Sequence, residues 1–214
     1  GEHLALEAFR AGVIEELILE EGTDLPFPSP YAYYSKEVMC KISALETPSS
    51  VMALCRKRTR DAGEIVGDKV LALDNIQDPG NLGTIIRSAL AFGVTTIVLS
   101  EDTVDLYNPK VLRATQGMIF HTNIIVRDLF DWLRMVRGSD FNIYGTSVDG
   151  GVDVKTLGKE EKDNFVLIVG NEGNGVSRKL LDLCDKNLYI SMTSRVESLN
   201  VAVATSILLY ELRG

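Results

Sequence analysis

Short apolar segments alternate with helix-like or loop segments from residue 70 onward in this 214-residue chain. Many are rich in β-branched residues and bounded by turn residues, which favours strands. Strands that alternate with helices form mostly parallel sheets covered by helices on both faces, and ligands bind beyond the carboxyl ends of such strands. We therefore predict an α/β fold with a mostly parallel six-stranded sheet. Its strands are Val70–Leu73, Thr96–Leu99, Asn123–Val126, Asn142–Tyr144, Phe165–Val169 and Leu188–Ser191.

The first part of the chain predicts a smaller α/β unit. A helix over Leu4–Ala11 and a strand over Val13–Leu19 precede a proline-rich loop, a helix after Ser35 and a strand over Val51–Leu54. A basic run and the segment Asp61-Ala62-Gly63-Glu64 then interrupt the apolar pattern, which is typical of a linker. The predicted organisation is a domain over residues 1–60, a linker over 61–68 and a second domain over 69–214.

Composition indicates a globular intracellular protein. An apolar fraction of 45% is sufficient for a substantial core. We find no apolar run near the roughly 20 residues that cross a bilayer, and no secretory signal at residue 1. The cysteines Cys40, Cys55 and Cys184 are odd in number and lack metal-ligand spacing, so we expect reduced thiols and no metal. These features fit the cytoplasm of a bacterium, or a mitochondrion or plastid of a eukaryote, and predict no membrane partner.

Net charge alone argues against a nucleic-acid partner, because the chain carries a formal charge of −8. The distribution of charge weakens that argument. Four cations lie in the run Arg56-Lys57-Arg58-Thr59-Arg60, while acidic residues crowd Glu15 to Asp24 and Glu160 to Asp163. Such a run is either a solvated surface or a local binding patch, and the charge pattern leaves both interpretations open.

The first polar motif joins a strand end, a turn and a helix start between Leu73 and Arg87. Asp78-Pro79-Gly80 is turn chemistry, and apolar residues at helical spacing follow, which predicts Asn81 as the helix N-cap. Arg87 would lie in the second turn, where its side chain leans back toward the loop. The motif therefore predicts either a plain capped helix or a site for an anion or polar substrate.

The second motif is the segment Gly170-Asn171-Glu172-Gly173-Asn174-Gly175 after an apolar strand. Its pattern G-x-x-G-x-G differs from the dinucleotide fingerprint and lacks a P-loop lysine, which excludes a pyrophosphate cradle and argues against a nucleotide-dependent oxidoreductase. The glycines are expected to bring exposed backbone N–H groups close to a ligand. Glu172 would oppose a phosphate and favour a cation or hydroxyl donor, unless the loop is a tight turn with a solvated Glu.

The third motif follows the last predicted strand. The segment Ser198-Leu199-Asn200 precedes a helix with small residues on one face. Either Ser198 or Asn200 is expected to cap that helix, because both residue types accept a hydrogen bond from the first turn. The other would then be free for chemistry.

Together the motifs D-P-G-N-x-G-x-x-x-R, G-N-E-G-x-G and S-L-N-V-x-V-A resemble, in this order, the SpoU (TrmH-like) branch of the SPOUT RNA methyltransferases. The resemblance covers about residues 69–214, and residues 1–60 resemble the L30e-like RNA substrate-binding domain often fused ahead of this catalytic domain. It implies methyl transfer from S-adenosyl-L-methionine, with S-adenosyl-L-homocysteine as product, to a ribose 2'-hydroxyl of structured RNA, which we expect to be rRNA rather than tRNA. It also implies a homodimer and a C-terminal trefoil knot.

The resemblance assigns roles to residues position by position. The segment Thr193–Glu197 departs from the family, being shorter and without its Pro-Met-x-Gly-like pattern, so a non-catalytic RNA-binding or ribosome-assembly protein stays the alternative. The implied catalytic residues are Asn81, Arg87, Glu172, Ser198 and Asn200. The implied cofactor-binding residues are Thr146, Ser147, Gly170, Asn171, Glu172, Gly173, Ile190, Met192 and Leu199. The candidate RNA-binding residues are Arg56, Lys57, Arg58, Arg60 and Arg113.

Overall fold

A computed structural model describes residues 1–43, 45–57, 65–148 and 150–213. The described helices are α1 (Glu2–Arg10), α2 (Lys36–Ile42), α3 (Pro79–Ala91), α4 (Pro109–Ala114), α5 (Leu129–Val136), α6 (Arg178–Leu181) and α7 (Val201–Leu212). The strands are β1 (Ile14–Glu20), β2 (Tyr31–Tyr34), β3 (Val51–Cys55), β4 (Lys69–Leu73), β5 (Thr96–Ser100), β6 (Asn123–Arg127), β7 (Asn142–Thr146), β8 (Val152–Asp153), β9 (Phe165–Val169) and β10 (Lys186–Tyr189).

The first part of the chain forms a three-stranded sheet in the order β2-β1-β3. Strand β1 is parallel to β2 and antiparallel to β3, and α1 contacts β1 and β3. Leu17 and Leu19 of β1 are fully buried with Ala5 of α1. The sequence did not predict β2, a four-residue edge strand in which exposed and half-buried residues alternate.

The larger sheet has the order β6-β5-β4-β9-β7-β10-β8, and every described pair of neighbours is parallel. This confirms the predicted α/β fold and parallel sheet, with β8 added as a two-residue edge strand. Leu71 and Leu73 of β4 face α3 and α7, whereas Val70 and Ala72 face the side covered by α5 and α6. Helices therefore cover both faces, as predicted.

The strand order determines where the motifs meet. The first motif follows β4, the second follows β9, and the third follows β10, while Thr146 ends β7. These four strands are consecutive neighbours in the sheet. Since all are parallel, their carboxyl ends lie at one edge, which brings the three motifs together.

Neither a membrane-spanning helix nor a metal-binding cluster is found in the described residues. Within the described ranges, no helix is long and apolar enough to span a bilayer. The same residues contain no cluster of three or more His, Cys, Asp or Glu side chains suited to a metal ion. Residues 61–64 of the predicted linker lie outside the described residues, and the domain boundaries, the L30e likeness and the knot stay predictions.

Candidate active site

A cavity of about 360 Å³ opens at the carboxyl edge of the sheet, between the ends of β7, β9 and β10 and the start of α7. Its lining includes all nine residues that the resemblance assigned to the cofactor: Thr146, Ser147, Gly170, Asn171, Glu172, Gly173, Ile190, Met192 and Leu199. Ser198 also lines it. Apolar side chains that sequence reasoning had not singled out form much of the remaining wall, namely Val148, Val169, Val176, Leu181, Leu188, Val201 and Leu208.

Glu172 is held by donors from the first motif. The backbone N–H of Gln77 donates to its Oε2 over 3.2 Å, and that of Asp78 to its Oε1 over 3.1 Å. The Nδ2 of Asn81 lies 3.2 Å from the same Oε1. The loop carboxylate is therefore exposed but held by neutral amide groups of the first motif, contacts that sequence reasoning had not predicted.

The pKa of Glu172 follows from these contacts. Partial burial on its own raises the pKa, but hydrogen bonds from its own backbone N–H group and from the three donors just named outweigh burial. The pKa of this carboxyl therefore lies below its usual range. Glu172 is ionised at neutral pH, so it can only accept hydrogen bonds.

Asn81 and Asn200 extend the network into the third motif. The Nδ2 of Asn200 donates to Oδ1 of Asn81 over 2.9 Å. The Oδ1 of Asn200 accepts from the backbone N–H groups of Ala202 and Val203, which confirms that a residue of this motif caps α7. One continuous hydrogen-bonded chain thus joins Glu172, Asn81 and Asn200, which come from three separate motifs.

The prediction that Asn81 is the N-cap of its helix was wrong. Asp78 caps α3 and accepts a hydrogen bond from the backbone N–H of Asn81 over 2.7 Å. Pro79 occupies the first position of the helix, where its fixed φ angle and missing N–H group are both tolerated. Because Asp78 does the capping, the side-chain amide of Asn81 is free to bind Glu172 and Asn200.

The glycine-rich loop uses its backbone N–H groups internally. The Oδ1 of Asn171 accepts from the N–H groups of Gly173 and Asn174, and the N–H of Gly175 donates to the carbonyl of Asn171. The expectation that these N–H groups face a ligand was therefore wrong for those three residues. Gly170 has a packing role instead, because a Cβ there would lie 2.0 Å from the carbonyl carbon of Gly175.

Arg87 and Ser198 have few contacts. Arg87 is exposed on α3, outside the cavity lining, and in the described part of the chain no hydrogen bond or ion pair of its guanidinium is found. It lies six residues beyond Asn81, about 9 Å along the helix axis. Ser198 is exposed at the cavity, and its hydroxyl has no hydrogen bond to another described residue.

The described candidates for RNA binding, Arg56, Lys57 and Arg113, do not line the cavity. Exposed Arg56 has its Nε 3.7 Å from Oε1 of Glu15, and Nζ of Lys57 lies 4.6 Å from the ring centroid of Tyr107. Arg113 is exposed on α4, and Arg58 and Arg60 fall outside the described residues. The loop that carries Tyr107 also contacts the first motif, since the N–H of Val104 donates to the carbonyl of Ile76. Lys57 is therefore connected to the active-site edge through one loop.

Comparisons with known proteins identify the family of this chain. The model of the SpoU rRNA Methylase family matches residues 68–210. A 23S rRNA (guanosine(2553)-2'-O)-methyltransferase of Bacillus subtilis is 38% identical over 100% of this chain and 87% of its own length.

Two solved structures are similar in fold. An rRNA methyltransferase from Sinorhizobium meliloti with bound AdoMet has a TM-score of 0.84 at 29% identity, covering 98% of this chain and 84% of its own. A TrmH/SpoU tRNA modifying enzyme of A. aeolicus has a TM-score of 0.58 at 29% identity, covering 69% of this chain and 75% of its own. The family model matches residues that include all three motifs, and the chain therefore belongs to the SpoU rRNA methylase family.

Proposed function

We propose that this protein is an RNA 2'-O-ribose methyltransferase that uses S-adenosyl-L-methionine and acts on rRNA. The observation that carries the proposal is the hydrogen-bonded chain of Glu172, Asn81 and Asn200 beside the cavity. A protein that only binds RNA has no need to keep three polar residues from three motifs in one network next to a cavity of ligand size.

The cavity suits S-adenosyl-L-methionine. Its volume lies in the range of small-molecule sites, and its wall combines apolar side chains with a few polar groups, as a site for a nucleoside that carries an amino-acid chain requires. The backbone around Ile190, Met192 and Leu199 and the side chains of Thr146 and Ser147 would hold it. The ionised Glu172 favours a positively charged ligand group on electrostatic grounds. When bound, the cofactor supplies a methyl group already activated on a positively charged sulfur.

The protein's own task is then to orient the nucleophile and remove its proton. Alignment of a 2'-hydroxyl with the methyl group contributes several kcal/mol through positioning. Asn81 is fixed at both ends of its amide, and the Ser198 hydroxyl has no hydrogen-bond partner among the described residues, so both suit substrate positioning. Arg87 cannot act as a simple base because a guanidinium stays protonated. We assign it to the neighbouring RNA phosphate and the developing alkoxide, with the proton leaving to a phosphate oxygen or water.

RNA contact is assigned to the N-terminal unit and to the basic residues. Residues 1–60 would bind the structured RNA around the target nucleotide. Arg56, Lys57 and Arg113, with Arg58 and Arg60 in the same basic run, would contact phosphates and offset the net negative charge locally. An rRNA substrate places the protein with ribosomes, in a bacterial cytoplasm or in a mitochondrion or plastid.

A homodimer is the second part of the proposal, and an apolar face of α7 supports it. Alongside a buried face, α7 exposes Val203 and Tyr210, each 48% accessible. Tyr210 packs edge-on against Phe92, which follows α3, with ring centroids 5.9 Å apart. A largely apolar helix is normally covered by other parts of the protein. A second copy of this chain would cover the exposed face of α7.

The dimer proposal predicts the effect of a charge on this face. Val203→Asp is expected to convert the dimer into a monomer, because a carboxylate would be buried at the interface. Molar mass from light scattering on a sizing column measures it. The matched control is Met135→Asp on α5, where Met135 is 74% exposed and outside the proposed interface. A wild-type protein that is monomeric at micromolar concentration contradicts the proposal.

Methyl transfer tests the main proposal. Purified protein is incubated with S-adenosyl-L-methionine carrying a radioactive methyl group and with 23S rRNA, tRNA or no RNA, and the modified ribose is mapped. The 23S segment that contains the guanosine named for the Bacillus subtilis relative is tested first. We expect incorporation into rRNA and loss of incorporation with Glu172→Gln.

The alternative function gives a different result. If calorimetry detects no binding of S-adenosyl-L-methionine or S-adenosyl-L-homocysteine, with and without RNA, while the protein still binds rRNA, the non-catalytic assembly protein is correct. Binding of the cofactor together with methylation of tRNA alone would keep the enzyme and replace its substrate.

A further inference from the structure

Asn75 has an unusual backbone conformation directly after β4. Its φ angle is +59°, in the left-handed region that few residues other than glycine adopt. Asparagine tolerates this region better than most side chains do. Non-glycine residues with positive φ are informative because the surrounding structure must hold them in place.

Three polar groups of Asn75, its backbone N–H, its carbonyl and its side-chain Oδ1, are hydrogen-bonded in this turn. Its backbone N–H donates to Oγ of Ser100 over 2.8 Å, and its carbonyl accepts from Nδ2 of Asn171 over 2.9 Å. Its Oδ1 accepts from Nε2 of Gln77 over 2.5 Å. The Nε2 of Gln77 also donates to the carbonyl of Asp102 over 2.6 Å, which ties the turn to the loop after β5.

The bond from Asn171 to Asn75 joins the two loops that form the site. At the same time, Oδ1 of Asn171 accepts from the N–H groups of Gly173 and Asn174 and so shapes the loop that carries Glu172. The turn after Asn75 in turn presents the N–H groups of Gln77 and Asp78 to Glu172. If the Asn75 carbonyl pointed elsewhere, Nδ2 of Asn171 would lose its acceptor, and the loop that carries Glu172 would lose this bond to the turn.

We propose that Asn75 is a positioning residue of the methyl-transfer reaction, whose left-handed backbone aims its carbonyl at Asn171 and thereby sets the carboxylate of Glu172 against the first motif. The inference rests on the proposed function for its catalytic consequence. Asn75 acts through Asn171 and Glu172, since it does not line the cavity itself.

Two substitutions separate the effect of the Asn75 backbone conformation from the effect of its side-chain amide. Asn75→Gly removes the amide but keeps the left-handed conformation, whereas Asn75→Ala removes the amide and disfavours that conformation. We expect Asn75→Ala to lower kcat by about ten- to a hundredfold through misplacement of the site. Asn75→Gly is expected to stay within about threefold of the wild-type kcat, since the conformation that matters is retained.

The titration of Glu172 gives a readout that needs no turnover. Glutamate labelled with 13C at the carboxyl carbon is followed by NMR over pH, and Glu172→Gln identifies the resonance. Asp74 and Asp78 on the same turn are not labelled; Asp74 accepts from the N–H of Ser177, and Asp78 caps α3. We expect the pKa of Glu172 to rise in Asn75→Ala, because donors to the carboxylate are displaced, and to be unchanged in Asn75→Gly.

The results for the two variants support or overturn the positioning role of Asn75. If Asn75→Gly loses as much activity as Asn75→Ala and raises the pKa of Glu172, the side chain rather than the backbone acts and the proposal is overturned. Wild-type behaviour of Asn75→Ala in both measurements also overturns it. Should Asn75→Ala fail to fold, Asn75→Gly alone separates the two explanations. If no RNA is methylated by the wild type while the Glu172 titration shows the expected pattern, the proposed function fails and the positioning role stands.

Discussion

At the scale of single residues, Asn81 is the member of the network that joins the other two. Its Nδ2 donates to Glu172 and its Oδ1 accepts from Asn200, so neither rotation nor exchange of the amide ends is possible without loss of a bond. An oriented amide beside an ionised carboxylate forms a rigid polar wall. Such preorganised groups aid catalysis because they need no rearrangement when charge develops on the substrate.

Removal of the Asn81 amide is predicted to affect turnover more than cofactor affinity. Asn81→Ala leaves Glu172 without one donor and Asn200 without its acceptor, and we expect kcat to fall by about a hundredfold. The cofactor dissociation constant is expected to change less than about threefold, since Asn81 does not line the cavity. Steady-state kinetics and calorimetric titration with S-adenosyl-L-homocysteine measure the two quantities. An equal loss of both would mean that Asn81 only maintains the structure of the site.

Arg87 makes a separate prediction at this scale. If Arg87 holds a phosphate through two parallel hydrogen bonds, lysine cannot replace it, and Arg87→Lys is expected to lower kcat/KM by at least about tenfold. Arg87→Ala should be worse, whereas Arg127→Lys on β6 is the control because that residue belongs to no motif. Near wild-type turnover of Arg87→Lys with an unchanged pH profile contradicts both the phosphate role and a role as proton acceptor.

At the scale of elements, the start of α3 shows how capping and chemistry share one turn. The segment Asp78-Pro79-Gly80-Asn81 contains two residues that can cap a helix, and only one does. Proline at the first helical position identifies Asp78 as the cap. The capping bond closes the turn whose N–H groups hold Glu172, so the stability of α3 and the geometry of the site depend on the same residue.

Loss of this cap is predicted to destabilise the protein moderately. Asp78→Ala leaves the N–H of Asn81 without its acceptor, and we expect the free energy of unfolding to fall by about 1 kcal/mol. Asp78→Asn, which keeps a capping oxygen, should remain close to wild type. Denaturant unfolding of the three proteins provides the comparison. An unchanged midpoint for Asp78→Ala would mean that Pro79 alone is sufficient to start the helix.

Some of the strands and motifs could be predicted from the sequence, and others could not. The strands of the parallel sheet and the three motifs follow from local apolar runs and turn residues, so they were predictable. Strands β2 and β8 were not, because they are short edge strands stabilised by pairing rather than by a local pattern. The bonds from Gln77 and Asp78 to Glu172 cross more than ninety residues, and only the order of the strands in the sheet brings them together.

At the scale of the whole molecule, Glu7 connects α1, which packs on the small sheet, to the segment just before β6 of the larger sheet. It lies on α1 with 6% of its surface exposed, and its Oε2 is 2.8 Å from Nε2 of His121. Its Oε1 accepts a hydrogen bond from Arg10. Gly117 makes the close approach possible, because a Cβ at that position would lie 2.5 Å from Cβ of Glu7. A buried carboxylate thus helps to hold α1 against the segment between α4 and β6.

The charge of Glu7 predicts how this contact depends on pH. The hydrogen bond with His121, together with Arg10, lowers the pKa of Glu7 below its ordinary value of 4.5 despite burial. A carboxyl whose pKa is lower in the folded state stabilises that state fully above the unfolded pKa, and the contribution disappears as the pH falls through the folded pKa. The contact should therefore be at full strength at pH 7 and weaken below about pH 4.5.

Glu7→Gln tests this expectation against Glu2→Gln, since Glu2 is an exposed acid in the first turn of the same helix. We expect Glu7→Gln to reduce the free energy of unfolding by about 1–3 kcal/mol at pH 7, because it removes a charged acceptor from two donors. The difference from wild type should shrink as the pH falls below about 4.5, where protonation of Glu7 in the wild type has the same effect as the substitution. Glu2→Gln should stay near wild type throughout. A difference that is constant between pH 7 and pH 3 would show that Glu7 contributes through its packing against Gly117 and not through its charge.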